Sequence, residues 1–425
     1  MMNLGPFPDV AGYSDAARLD SADVLASFRD RFVFSDPDLI YLDGNSLGRM
    51  PKTAAVTIDA VANTQWGERL IRSWNEGWWE LQLRIGDLIA PLLGAGPGEV
   101  IVSDSTSVNL YKLASSALEA RPGRPKIVTD DLNFPTDVYV LKGLAARSGY
   151  ELEIVPSRNG YGPFEGLAKA IDENTALVCL SHTVFKSGYT YDLNQVTKLA
   201  HDAGSLVLWD CSHSVGVVPI DFAGANVDLG VGCTYKYLNG GPGSPAWLYV
   251  RSDLQETLTN PITAWWGHVS PFDFDLEFEP VRGIRRFHTG TMPILSLAAI
   301  EPGIASTREA GIGAIREKSI ALSEYLMDQI ETHLSHLGFS VASPADPLLR
   351  GSHISIAHED AWPITRALIE LANVVPDFRT PDNLRFGLAP LYNTFLEIHT
   401  AVQRLRVLVE SNAHRAYMGV TAPVT

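Results

Sequence analysis

Cysteine is scarce: three in 425 residues, Cys179, Cys211 and Cys233, with no CxxC spacing. That excludes a disulfide framework and points to a reducing compartment, so the cytoplasm is the expected location. No run reaches the roughly 18 apolar residues of a membrane-spanning helix. The opening "MMNLGPFPDVAGYSDAARLD" has neither the basic start nor the apolar stretch of a secretory signal. Positive charge is in the minority, with 33 Lys and Arg against 49 Asp and Glu and a net charge of −16. A field of that sign repels nucleic acid and anionic membrane surfaces, so neither is expected as a partner. Internal repeats and low-complexity tracts are missing too. What is present is 46% apolar residues, enough to fill one large domain and a smaller one.

The order of elements follows from the periodicity. "SADVLASFRDRF" places Ser21 as an N-cap candidate before an amphipathic helix. From Pro51 to about Leu93 the pattern is mostly helical and rich in tryptophan (Trp66, Trp74, Trp78, Trp79). Then "EVIVSD", "KIVTDD", "ELEIVPS", "ALVCLSH", "SLVLWD", "VDLGVGC" and "AWLYV" follow as short continuous apolar runs, several separated by helical stretches. Continuous runs spaced by helices predict an α/β fold whose mainly parallel sheet is covered on both faces. Beyond residue 300 the pattern loosens into helices and the runs "GFSVAS", "GSHISIAH", "NVVPDFR" and "LRFGLAP". The expected division is an N-terminal segment over 1–50, a large domain over 51–300 and a small α+β domain over 301–425.

Ligands of such sheets bind at the carboxyl ends of the strands. The polar residues gathered there are "SDSTSVN", "DDLNFPTD", "SHTVFKSG" and "DCSH". Thr106 and Ser107 open a helix, where hydroxyls and free N–H groups make an anion site. Phe134 offers an aromatic face, and Asp210 is an acid at the end of an apolar strand. Lys236, between Tyr235 and Tyr237, is suited to a desolvated pocket where its amine loses its proton readily. A phosphate cradle, an aromatic plane, an acid and an amine are the protein parts that pyridoxal phosphate (PLP) requires.

The motifs "YLDGNSLGRMP", "STSVNLYKL", "NFPTD", "DCSHSVGVVPID", "CTYKYLNGGPGS", "WWGH", "GTMPILSL" and "LRFGLAPLYNTF" resemble those of the kynureninase family, within the fold-type I PLP enzymes of the aminotransferase class V group. The resemblance covers nearly the whole chain. It implies a PLP enzyme, metal-free and homodimeric, that hydrolyses L-kynurenine to anthranilate and L-alanine in tryptophan breakdown or nicotinamide-cofactor synthesis. Lys236 is then the Schiff-base lysine, and Asp210 the partner of the pyridine nitrogen with His213 beside it. Thr106, Ser107 and Tyr235 would hold the phosphate, and Phe134 would stack on the ring. Asp137 ends the same motif as Phe134, while Ser181 lies at the cofactor edge. Trp265 and Thr291 reach cofactor or substrate, in the family partly across a dimer interface. Arg385 clamps the substrate α-carboxylate, for which a planar two-pronged donor is suited. Asn45 and Trp66 complete the substrate site. Trp66 and Thr291 stand where some members read the ring hydroxyl of 3-hydroxykynurenine, and here resemble the type that prefers kynurenine itself.

Singly, these residues have ordinary readings. Asp210 suits a helix cap, His213 a structural histidine, Phe134 the core and Arg385 a salt bridge. Gly44-Asn45-Ser46-Leu47-Gly48 also fits the G-x-S-x-G of a serine hydrolase, but it comes before the strands and oxyanion loop such an elbow needs, and Pro51 delays the helix. A desulfurase would need a cysteine on a small-domain loop, and none follows Cys233. An aminotransferase remains as the alternative within the PLP class.

Overall fold

In the computed structural model, which describes residues 10–419, a two-residue strand β1 (Ile40–Tyr41) precedes the seven apolar runs. These fold as β2 (Val100–Val102), β3 (Lys126–Asp130), β4 (Glu151–Val155), β5 (Thr175–Ser181), β6 (Leu206–Asp210), β7 (Leu229–Gly232) and β8 (Trp247–Val250). They form one sheet in the order β2-β8-β7-β6-β5-β3-β4. Only β8 runs antiparallel to its neighbours. The continuous apolar pattern has its expected cause. On β5, Leu177 and Cys179 enter the core on one face, Val178 and Leu180 the core on the other. β4 is one of the two edge strands, and it alternates charged and apolar residues with Glu151 exposed. The chain runs outward from β3 to β4, then returns to β5 and continues to β6 and β7. The strand order therefore reverses between β3 and β5, the place where open sheets leave a crevice.

The later strands are β9 (Ser340–Val341), β10 (His353–Ala357), β11 (Val374–Val375), β12 (Asp377–Arg379) and β13 (Asn383–Gly387). An antiparallel sheet β12-β13-β10-β9 packs on helices Ile312–Leu334, Ala361–Ala372 and Phe395–Glu410, while β1 pairs in parallel with β11. Ile40 and Leu42 therefore join Leu322, Ile354, Phe386 and Ile398 in one apolar cluster. Ile300 and Ile304 still belong to the core of the large sheet. After β1 the chain crosses to the large sheet, passing directly over the site described below. Among the described residues, no helix is long and apolar enough to cross a membrane.

One local expectation is overturned. Ser21 ends a helix, Val10–Ser21, rather than starting one, and its hydroxyl donates to the Ala17 carbonyl at 2.8 Å. Asp23 instead caps the next turn, taking the Leu25 N–H at 2.8 Å. Of the short 3-10 turn that follows, Ala26–Arg31, only Phe28 is buried, too little to anchor an amphipathic helix.

Candidate active site

β5 and β6 end side by side, with Ser181 and Asp210 directly paired. Asn133, just past the end of β3, joins them. Its side-chain oxygen accepts from the Ser181 N–H at 2.7 Å, and its amide donates to the Cys179 carbonyl at 3.1 Å. The crevice between β3 and β5 is thus held at a fixed width, and the residue after Asn133 is placed over it. That residue is Phe134, 41% exposed although its surroundings are buried. Its ring meets Phe185 edge-on at 5.4 Å, and the Lys236 ammonium nitrogen lies 6.0 Å from its centroid.

Lys236 sits on the loop after β7. Asn239 donates its N–H to the Lys236 carbonyl at 2.9 Å, and Gly240 closes the turn on the Thr234 carbonyl at 2.9 Å. Gly48 supports this loop from the crossing N-terminal segment. Its N–H donates to the Tyr235 carbonyl at 2.8 Å, and a Cβ there would lie 2.3 Å from the Lys236 carbonyl oxygen. The Lys236 amine is 2.9 Å from Nε2 of His213. Burial lowers the affinity of the Lys236 amine for its proton. Burial, then the charges of Lys236 and Arg385, also holds His213 well below its usual range, so its imidazole is neutral. The two nitrogens are within proton-transfer distance, and a neutral imidazole there can serve as a base toward Lys236.

Asp210 is 4% exposed, and one of its oxygens accepts from the Ser212 N–H at 2.9 Å and the Ser212 hydroxyl at 2.6 Å. Asp137 is buried against it. Burial, then the Asp210 charge, pushes the Asp137 carboxyl well up, so it keeps its proton. Its Oδ2 has no partner among the described residues. Tyr235 also holds its proton firmly, because of Cys233 beside it and then burial.

Thr106 and Ser107 form the first turn of helix Thr106–Glu119, with Ser105 as N-cap accepting from the Val108 N–H at 3.4 Å. The preceding residue, Asp104, takes a left-handed conformation (φ 50°). The fully buried Lys112 pairs with it at 2.8 Å, and the Thr289 hydroxyl donates to it at 2.9 Å. This ion pair fixes the loop that leads into the helix N-terminus, which carries a partial positive charge.

The Arg385 guanidinium is held by several partners within the protein. Nε donates to Asp377 Oδ1 at 2.8 Å and Nη2 to Oδ2, while Nη2 also donates to the Ser46 hydroxyl at 3.2 Å and Nη1 to the Phe185 carbonyl. Asp377 and Arg385 face each other across β12 and β13 and are each 1% exposed. Asn45, with its amide oxygen turned to the guanidinium, accepts from Nε at 2.8 Å. Ser46 donates to Asp377 at 2.8 Å. It is therefore part of this network, and no hydrolase elbow forms around it.

Three residues stand apart from this group. Trp66 is 59% exposed and lines a surface cleft with Trp78 and Leu295. Trp265 belongs to an aromatic cluster, 6.1 Å from Trp79 and 5.2 Å from Trp266. Thr291 is exposed. Among the described residues, none of the three has a hydrogen bond or ring contact to Lys236, His213 or Arg385. Conversely, the roles of Asn133 and Asp377 were not read from the sequence, and Gly48 was read only as part of the Gly44–Gly48 segment. The one signal was a charged residue, Asp377, in an otherwise apolar run.

Comparison with known proteins decides the family. The chain is 41% identical over 404 residues to the kynureninase of Pseudomonas fluorescens, spanning 93% of this chain and 95% of that protein. It is 42% identical to the kynureninase of Burkholderia pseudomallei, over 95% and 96% of the two chains. The chain belongs to the kynureninase family. The kynureninase C-terminal domain family matches residues 315–405, which contain His353, Asp377 and Arg385. Among solved structures, a cysteine desulfurase from Thermococcus onnurineus superposes with a TM-score of 0.78 at 18% identity, covering 91% of this chain and 98% of that one. A C-DES mutant with glycine covalently linked to its PLP cofactor gives 0.75 at 19%, over 87% and 97%. At that identity the likeness shows the fold, fold-type I, which the kynureninase family shares.

Proposed function

We infer that this chain hydrolyses L-kynurenine with water to anthranilate and L-alanine, using PLP. The carrying observation is the buried Lys236 amine, 2.9 Å from His213 and facing the Phe134 ring, in a chain of this family. The residues present fit the cofactor. Asp137 Oδ2 is buried without a partner, Phe134 has an open aromatic face, and a helix N-terminus bearing Thr106 and Ser107 suits a phosphate.

When bound, PLP supplies an aldehyde for amino groups and a ring that accepts the electron pair of a breaking bond. Lys236 is the amine that holds it and, once released, the base for the substrate's α-proton. Neutral His213 accepts or returns a proton at Nε2. Asp210 would hold the proton of the pyridine nitrogen, with the neutral Asp137 carboxyl beside it. Tyr235, which retains its proton, is placed to donate one near the phosphate. Arg385 meets the α-carboxylate with its remaining N–H, from a guanidinium already fixed by Asp377. Ser181 and Asn133 set the cofactor edge.

Trp66, Trp265 and Thr291 are assigned to the site through a second copy of the chain. An apolar cleft of about 520 Å³ beside the lysine loop, lined by Val33, Met50, Ile58, Leu295, Gly240 and Gly241, supports a homodimer. We read the chain as segment 1–50, large domain 51–300 and small domain 301–425, and three buried free cysteines as suited to the cytoplasm.

The test is to load the purified protein with PLP, add L-kynurenine and follow anthranilate fluorescence. Anthranilate with equimolar L-alanine is expected. A yellow protein that exchanges amino groups without releasing anthranilate would move the reading to an aminotransferase.

A further inference from the structure

The α-carboxylate of the substrate needs more donors than Arg385 has left. A guanidinium carries five N–H groups and a carboxylate about four acceptor sites. In this structure four of the five are engaged, by Asp377 twice, by Ser46 and by the Phe185 carbonyl. A buried carboxylate with one donor would be poorly satisfied.

His353 stands beside this place. It lies on β10 opposite Gly387, two residues from Arg385 on the neighbouring strand, with Ser355 opposite Arg385 itself. Paired residues on adjacent strands share a face, so His353 and Arg385 project to the same side, diagonally adjacent. That side meets the large domain: the Ser355 hydroxyl donates to the Lys186 carbonyl, and the His353 ring lies 5.7 Å from the His213 ring. The side chain is fully buried, yet neither ring nitrogen has a hydrogen-bond partner among the described residues. Burial, then the charge of Arg385, holds it neutral, with one N–H to give. A buried polar ring left unpaired is costly unless a ligand completes it.

The geometry points to His353 as a binding residue for the substrate α-carboxylate, donating a ring N–H beside Arg385. This rests on the reading of the chain as a PLP enzyme for an α-amino acid. Imidazole adds a second, differently placed donor, so the carboxylate is held in one orientation with the α-carbon toward Lys236.

The test uses the PLP-loaded enzyme and its His353→Leu and His353→Gln variants. Binding of L-alanine is followed by the cofactor absorbance, KM and kcat for L-kynurenine by anthranilate release, and thermal stability without ligand. Loss of a hydrogen bond to a charged group should weaken L-alanine binding and raise KM by roughly tenfold or more in His353→Leu, with kcat changed less than about threefold. His353→Gln should recover most of the loss, and the decarboxylated analogue of L-kynurenine should bind both variants as it binds wild type. The Leu variant should also melt no lower than wild type, because an unpaired buried ring is removed. Wild-type L-alanine affinity in His353→Leu, or equal weakening toward the analogue without a carboxylate, would overturn the assignment. If the parent protein released no anthranilate, the functional reading would fail, while L-alanine binding would still decide the role of His353.

Discussion

Replacing Asp377 by asparagine keeps the shape of the side chain and removes the charge that ties down two arginines. Asp377 is 1% exposed and sits 2.8 Å from Arg379 Nη2, besides its two bonds to Arg385. Burial pushes its carboxyl up, but the charge and hydrogen bonds of Arg385, then Arg379, outweigh burial and hold it below the usual range. Breaking a buried pair from one side costs about 3–5 kcal/mol. The amide oxygen retains one charge-assisted hydrogen bond from a guanidinium, worth about 2 kcal/mol. The expected loss of stability is therefore about 1–3 kcal/mol. It should depend on pH through Asp43, whose carboxyl is raised to about 7 by burial and then by the Asp377 charge. With Asp377 neutral, Asp43 ionises at lower pH than in wild type, so the cost of holding both carboxylates charged is relieved at pH 8, whereas at pH 5 wild-type Asp43 is already protonated and little is relieved. The loss should accordingly be larger at pH 5 than at pH 8. Urea unfolding of the loaded enzyme at both values measures it, and KM for L-kynurenine should rise roughly tenfold as Arg385 loses its orientation. A variant within about 0.5 kcal/mol of wild type at both pH values, with unchanged KM, would refute the claim that Asp377 holds Arg385.

Other substitutions probe the remaining parts. Gly48→Ala would place a methyl group 2.3 Å from the Lys236 carbonyl, and an overpacking cost of about 1–3 kcal/mol should appear as lower stability together with displaced cofactor absorbance. Gly387→Ala puts its Cβ 1.6 Å from the Asn45 amide, so KM should rise with little change in the cofactor spectrum. Phe134→Ala should weaken PLP binding about three- to tenfold, the value of one aromatic stacking contact, as read by equilibrium dialysis. The rate at which the PLP-free protein takes up PLP should rise with pH along a limb below 10.5, the ordinary lysine value, since burial lowers Lys236 and only the unprotonated amine attacks the aldehyde. A limb at the ordinary value would show Lys236 solvated.

The seven strands of the large sheet were legible because a sheet covered on both faces demands uninterrupted apolar residues, and few other elements produce runs like "ALVCLS". Strand ends were legible for the same reason: Asp210 and Ser181 are the first polar residues after such runs. Lys236 stood out through its setting, an apolar strand before it and glycines after. The Asp377–Arg385 lock was not readable, since it depends on the register of β12 against β13, which spacing along the chain does not give. Gly48 shows the same limit. Its role exists only because the N-terminal segment crosses from the small domain's core to the lysine loop, a contact between residues far apart in sequence. Trp66 and Trp265 could be matched to motifs, but a motif does not say which copy of the chain a side chain serves. Ser21 misled because a serine before apolar residues caps a helix only where that helix has a buried face.

The most direct measurement is to reduce the PLP-loaded protein with borohydride, digest it and identify the lysine that carries the cofactor. The account predicts a single labelled peptide, "CTYKYLNGGPGS", modified at Lys236. Label on another lysine such as Lys112 or Lys186, or none at all, would contradict it.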